Sequence, residues 1–270
     1  KGMLSFLPAP LRGLLAFLVM ALNTIIAIVP LLIITLFRLA IPVKAWGKLC
    51  AWLLIKIAES WIFVNGVALS LSGKAEIDLR GADDLHYHGW YLVSCNHQSW
   101  SDILILQQVF NRKVPMLKFF LKQELIWVPL MGVAWWALDF PFMKRFSKAY
   151  LEKHPEMKGK DIDTTRAACE KFKDMPTSVM NFLEGTRFTQ TKHDEQNSPF
   201  NYLLKPKAGG MAFAMSAMGD QFRSILDVTI HYPDGIPTFW DFMQGKMPRC
   251  TVSIEEKIIP EELRGGDYEN

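Results

Sequence analysis

Tyr91-Leu92-Val93-Ser94-Cys95-Asn96-His97-Gln98-Ser99-Trp100-Ser101-Asp102 is an apolar run that breaks into a polar turn and then opens onto a helical pattern extending to about residue 110. A short apolar stretch closed by turn residues suits a strand buried on both faces. A buried strand delivered through a turn into a helix is a building unit of α/β folds. The turn also carries chemistry. His97 stands five residues ahead of Asp102, and an imidazole paired with a carboxylate can take a proton from an alcohol while the carboxylate fixes its tautomer. Ser99-x-x-Asp102 is equally a capping-box pattern, in which Asp102 would accept the Ser99 backbone amide. These residues alone leave both roles open.

Ser178-Val179-Met180-Asn181-Phe182-Leu183 reads as a second buried strand, and it runs straight into Glu184-Gly185-Thr186-Arg187-Phe188. Arg187 offers a planar fork for a phosphate, Glu184 can accept from hydroxyls, and Gly185 permits a tight turn close to a ligand. By itself the segment also fits a solvated turn with a surface ion pair of little energetic value. Further strands are expected near 75–79, 90–95, 226–231 and 250–254, and helices near 121–127, 161–174 and 206–218, with 190–202 a polar loop. The pattern is α/β. Crevices in such folds lie beyond the carboxyl ends of the strands, so His97 and Glu184 are expected to share one edge.

Together, His97-x4-Asp102 and Glu184-Gly185-Thr186-Arg187 resemble the two signature motifs of the glycerolipid acyltransferase family, whose best-known members are the lysophosphatidic acid acyltransferases. Lys122-Gln123-Glu124-Leu125 leading to Pro129 and Gly132 looks like the family's second block, and Lys207-Ala208-Gly209 like its later lysine-glycine element. The run from Glu184 to His193 is most similar to the acylglycerophosphate and lysocardiolipin acyltransferase subgroup and its bacterial counterparts. Leu183 departs from the commoner form, in which a proline precedes the glutamate. The likeness covers roughly residues 75 to 235. It implies a mixed sheet flanked by helices, with His97 as base and Asp102 as its partner. It also implies that Glu184 and Arg187 hold the glycerol and phosphate of the acceptor, with Gly185 and Thr186 shaping that turn. Lys122 and Lys207 are candidates for phosphate or oxyanion contacts. The substrates implied are a lysophospholipid and acyl-CoA or acyl carrier protein as donor, and the chemistry calls for no metal or other cofactor.

The N-terminus points to a membrane. From Gly13 to Phe37 no residue is charged, and about 25 residues of helix can cross the roughly 30 Å hydrocarbon layer. The run is too long for a secretory signal, so a retained anchor is expected. Asn23 and Pro30 interrupt it, which allows either one kinked spanning helix or a hairpin that enters one leaflet and returns. Trp46, Leu49, Leu53, Ile57 and Trp61 recur at helical spacing and suit a helix in the interface or against a core. Arg38, Lys44, Lys48 and Lys56 follow the apolar run, so a spanning helix places the rest of the chain on the cytoplasmic side, as at a bacterial inner membrane. The expected division is residues 1–64 as anchor and interfacial helix and residues 65–270 as an α/β acyltransferase domain.

Several classes are excluded or disfavoured. The net charge of +3 defines no partner by itself, although Lys144, Arg145, Lys148, Lys153, Lys158 and Lys160 cluster and could attract lipid headgroups or coenzyme A phosphates. No nucleic-acid module accompanies these charges, so nucleic acid is not an expected partner. Cys50, Cys95, Cys169 and Cys250 are too dispersed for a metal site and read as reduced, buried thiols. There is no glycine-rich nucleotide loop and no Gly-x-Ser-x-Gly elbow. Trp127, Trp135 and Trp136 are suited to an acyl channel, the bilayer or the core. Oligomeric state is not legible in the chain.

Overall fold

In a computed structural model, residues 2–264 are described apart from 74, 144–151, 158–159, 161–162, 164–166, 168, 173 and 208. Lys144, Arg145, Lys148 and Lys158 of the basic cluster, and half of the helix expected at 161–174, lie outside the described residues.

A six-stranded mixed sheet forms the centre, in the order β1-β8-β7-β2-β6-β3. Its strands are β1 (Glu76–Arg80), β2 (Tyr91–Cys95), β3 (Leu117–Phe119), β6 (Ser178–Phe182), β7 (Ser224–His231) and β8 (Arg249–Ile258). Neighbours run parallel except β7 and β8. A two-stranded ribbon, β4 (Leu121–Lys122) with β5 (Phe142–Met143), lies outside this sheet.

β2 is buried at all five positions because both faces of the sheet are covered. On one side Tyr91, Val93 and Cys95 share a cluster with Ile105, Leu106 and Phe110 of α3 (Ser101–Phe110). On the other, Leu92 and Val179 meet Ala214, Met215 and Met218 of a later helix, Gly209–Met218. The register pairs Cys95 with Phe182 across β2 and β6. His97 and Glu184 therefore both follow the sheet edge by two residues, which brings the two turns together.

The chain begins with two long helices, α1 (Ala9–Ala40) and α2 (Lys44–Ser72), joined by a short turn. Both are long and apolar enough to cross a membrane. Asn23 and Pro30 do not interrupt α1, contrary to expectation; the reversal comes after Ala40, and α2 continues past the expected boundary at residue 64 to Ser72. Polar side chains pair across the hairpin: Asn23 donates to Asn65 Oδ1 at 2.8 Å and to the Trp61 carbonyl at 3.0 Å, and Trp61 donates to Thr24 at 2.9 Å. This suits a helix pair with apolar surroundings.

The α/β unit flanks α1 over most of its length. Gly13 allows close approach of Gln244, where a Cβ would come within 2.8 Å of the Gln244 side chain. Ile28 and Leu31 pack with Ala137, Leu138 and Phe140, and Arg38 pairs with Asp139 at 2.8 Å. Gly13 to Arg38 is on the order of 35–40 Å of helix at 1.5 Å per residue. The opposite face, including Phe17, Leu18, Ile25, Ile26, Ile33 and Phe37, is exposed.

Other departures are local. The helix expected at 121–127 is β4 followed by a 3₁₀ turn, Gln123–Trp127. α4 (Met131–Ala137) was not expected, nor was α5 (Gln190–Glu195), a short helix in the stretch read as loop, where Thr189 accepts the Lys192 amide as its cap. The helix at Gly209–Met218 is α6, and α7 (Phe239–Met243) carries a Thr238–Asp241 capping box.

Candidate active site

Asp102 fills both roles that its spacing allowed. Its Oδ2 lies 2.9 Å from His97 Nδ1 and accepts the backbone amides of Gln98 at 2.7 Å and Ser99 at 2.9 Å. Its Oδ1 accepts the Tyr232 hydroxyl. Asp102 is 0 % exposed, and four donors converge on it, which suits an acceptor-only carboxylate. With Nδ1–H donated to Asp102, the lone pair of His97 Nε2 is available as a base. The Ser99 hydroxyl works in both directions, donating to the Pro237 carbonyl at 2.7 Å and accepting the Ser101 amide at the start of α3 at 3.2 Å.

The His97 ring is held by packing. It stacks on Phe182 with centroids 3.9 Å apart and planes 14° from parallel, and Trp100 meets it edge-on at 6.4 Å. Its backbone is held from across the sheet edge. Glu184 Oε1 accepts the His97 amide at 2.8 Å, Glu184 Oε2 accepts the Leu204 amide at 2.8 Å, and the Phe188 amide donates to the His97 carbonyl at 2.8 Å. Glu184 is only 3 % exposed. The family likeness gave it the acceptor's glycerol, whereas both its oxygens here receive backbone amides, so its observed work is to position the two loops.

Past Glu184 the chain turns outward. Gly185 adopts φ +67°, and a Cβ there would come 3.1 Å from the Lys207 stem. Glycine meets both demands, the left-handed backbone and the close approach. Thr186 accepts a hydrogen bond from Lys192 Nζ at 2.8 Å, and the same ammonium reaches the Arg187 carbonyl at 3.1 Å. Arg187 is exposed, with its guanidinium 4.8 Å from the centroid of the Trp100 ring. Trp100 thus stands between base and cation, touching both. Lys207 lies at this turn, with its amide donating to the Leu183 carbonyl at 2.6 Å. Lys122 sits exposed on β4, and among the described residues it forms no hydrogen bond or ion pair with the other candidates.

No cysteine competes for the chemistry. Burial, then the nearby Asp102 charge, pushes the Cys95 thiol well up and Cys250 to about 12, and burial pushes Cys169 to about 12. Neutral thiols are poor nucleophiles. Among the described residues no group of three or more His, Cys, Asp or Glu side chains could hold a metal ion.

The sequence reading missed Tyr232, Asn96, Phe182 and Lys192. The Asn96 side chain donates to the Ile230 carbonyl at 2.9 Å and accepts the Ile230 amide at 2.8 Å, clamping β7 to the His97 turn. Asn96 adjoins the motif and so could have been singled out. Tyr232 could not, since its partner is 130 residues away. The tryptophans divide: Trp135 lines an apolar pocket with Thr24, Ile28, Leu31, Ile57 and Trp61, between the hairpin and α4, whereas Trp127 and Trp136 are exposed.

Residues 76–233, which contain His97, Asp102, Glu184, Arg187 and Tyr232, match the Acyltransferase family profile. The chain belongs to that family. Among relatives, this family member is 31 % identical over 148 residues to 1-acyl-sn-glycerol-3-phosphate acyltransferase gamma of Mus musculus, covering 51 % of this chain and 36 % of that one. It is 28 % identical over 226 residues to 1-acyl-sn-glycerol-3-phosphate acyltransferase 3 of Arabidopsis thaliana, covering 78 % and 52 %. The chain thus spans about a third to a half of the length of these relatives. The acyltransferase fold itself is shared with PlsC, the 1-acyl-sn-glycerophosphate acyltransferase of Thermotoga maritima. The TM-score is 0.51 at 20 % identity, covering 93 % of this chain and 87 % of that one.

Proposed function

We propose that this acyltransferase moves a fatty acyl group from acyl-CoA to the free hydroxyl of 1-acylglycerol-3-phosphate, giving phosphatidic acid. The observation that carries the reading is the 2.9 Å His97–Asp102 pair, oriented with Nε2 free, on one side of Trp100, and the exposed Arg187 on the other. His97 Nε2 takes the hydroxyl proton as the alcohol oxygen attacks the thioester carbonyl. The tetrahedral intermediate then expels the thiolate, which recovers the proton from the imidazolium; no acyl-enzyme forms and no metal is called on. Arg187 holds the acceptor phosphate through its fork, with Lys207 close by and Lys122 a further candidate for phosphate or oxyanion contact. Trp135 and its apolar pocket suit an acyl chain.

The hairpin and the α/β unit act at a membrane surface. The flanking of α1 by the globular part favours a hairpin lying in one leaflet, because a spanning α1 would put the Gly13–Gln244 and Arg38–Asp139 contacts at opposite membrane faces and the domain that joins them within hydrocarbon. The cytoplasmic face, where coenzyme A thioesters are available, is the proposed side.

Thiol release from oleoyl-CoA by detergent-purified protein, with and without lysophosphatidic acid and beside His97→Ala, tests the reading. Acceptor-dependent release that the variant lacks supports it. Acceptor-independent release would indicate a thioesterase. Activity with lysocardiolipin or lysophosphatidylglycerol alone would redirect the acceptor, and lipid binding without turnover would make it a non-enzymatic lipid-binding protein.

A further inference from the structure

We infer that Tyr232 is a positioning residue of this site, setting through Asp102 how strongly the His97 base holds a proton; the inference rests on His97 being the base. Asp102 divides its charge between two sides. Oδ2 serves the His97 ring and two backbone amides, while the Tyr232 hydroxyl is the one donor found on Oδ1 among the described residues. Tyr232 is buried, and burial followed by the Asp102 charge drives its hydroxyl far above the usual tyrosine range, so it remains a donor.

The hydroxyl is built into place. β7 lies parallel to β2 with Val228 opposite Cys95, Asn96 grips Ile230 in both directions, and Ser99 holds the Pro237 carbonyl. Tyr232 falls between these clamps, on a segment fastened to the His97 turn before and after it.

Its effect on the base has a definite sign. A hydrogen bond to Oδ1 stabilises the carboxylate charge and lessens what Asp102 offers the imidazolium. Without the hydroxyl, Asp102 supports the imidazolium more strongly, and His97 gives up its proton at higher pH. Among the described residues, the other ionisable groups around this centre are Cys95 on β2, Asp227 on β7, Cys250 on β8, Glu184 after β6 and Arg187 beyond it. Both thiols are kept neutral by burial, Asp227 is paired with Lys257 and Glu184 is engaged by amides, so the variant's displacement is assigned to the Asp102–His97 pair.

The test is Tyr232→Phe in the full detergent-purified chain. With oleoyl-CoA and lysophosphatidic acid, kcat is expected to fall by roughly tenfold and KM for the acceptor to change by less than about threefold, while the acid limb of kcat/KM moves up by about half a pH unit to one unit. Carbethoxylation of His97 against pH, followed by peptide mass spectrometry, reads the same displacement without turnover. A loss of activity with neither the limb nor the carbethoxylation midpoint moved overturns the inference and leaves Tyr232 a packing residue. If the wild-type chain transfers no acyl group yet the midpoint still moves, the acyl-transfer reading falls and the coupling stands. Should the Phe variant not fold, replacement of tyrosine by 3-fluorotyrosine, a stronger donor, is expected to move the midpoint down; an unmoved or raised midpoint overturns the inference.

Discussion

The two turns beyond β2 and β6 use their polar atoms in opposite ways. On the His97 side the protein fills its own requirements: Asp102 has four donors, Glu184 two amides, and the imidazole a ring stacked against it. On the Arg187 side the backbone turns outward and the guanidinium rests on Trp100 in solvent. A base must be oriented before substrate arrives, since misplacement costs rate directly. An anion site benefits from remaining open, because its partner is the ligand.

The largest test of this contrast is His97→Ala, expected to lower kcat roughly a thousandfold with the fold intact; thiol-release kinetics beside a thermal melt check it. Activity within tenfold of wild type would remove His97 from the built half. Next comes Glu184→Ala, which strands the buried amides of His97 and Leu204 and is expected to cost about 2–4 kcal/mol in urea unfolding. If that variant unfolds like wild type and only KM rises, Glu184 belongs with the ligand side after all.

Arg187→Ala should do the reverse. It is expected to raise KM for lysophosphatidic acid about 10–100-fold, the scale of a lost charged hydrogen bond, with unfolding changed by less than about 0.5 kcal/mol. An equal loss with an acceptor lacking phosphate would refute the assignment. Gly185→Ala is expected to destabilise by about 1 kcal/mol, since the new residue must hold a left-handed backbone and displace the Lys207 stem.

The smallest effect is in pH. The Phe200 carbonyl and then Asp194 raise His193 above its ordinary 6.5, while His193 and Gln190 lower Asp194 below 3.8. The histidine's contribution is therefore full below pH 6.5 and is lost as pH rises through its raised folded value; the aspartate's is full above pH 3.8 and is lost on acidification. Hydrogen exchange at Asn197 and Ser198, corrected for intrinsic rate, should quicken on the alkaline side. Unchanged protection there would show that the ion pair adds nothing to the outer turn.

Much of this was legible along the chain, and the reasons differ by element. β2 and β6 are apolar runs closed by turn residues, so their existence and the position of the two motifs followed from local pattern. β3 is only three residues long, too short for periodicity to register. α5 sits in a polar stretch and begins with a Thr189 cap rather than an apolar face. α1 continues through Pro30, which an apolar helix packed against a neighbour tolerates and a propensity argument does not foresee.

Sequence by itself determined the α/β class, the apolar N-terminus, and the residues proposed for acid-base and phosphate-binding chemistry, because these depend on residue type and near-neighbour spacing. Tertiary structure alone decided that Asp102 serves ring and backbone at once, that Glu184 holds loops, that Tyr232 completes the carboxylate's partners, and that the hairpin lies along the domain. The Glu184 and Tyr232 contacts depend on which strands became parallel neighbours and in what register. Contacts separated by 87 and 130 residues are set by that packing, which no local pattern encodes.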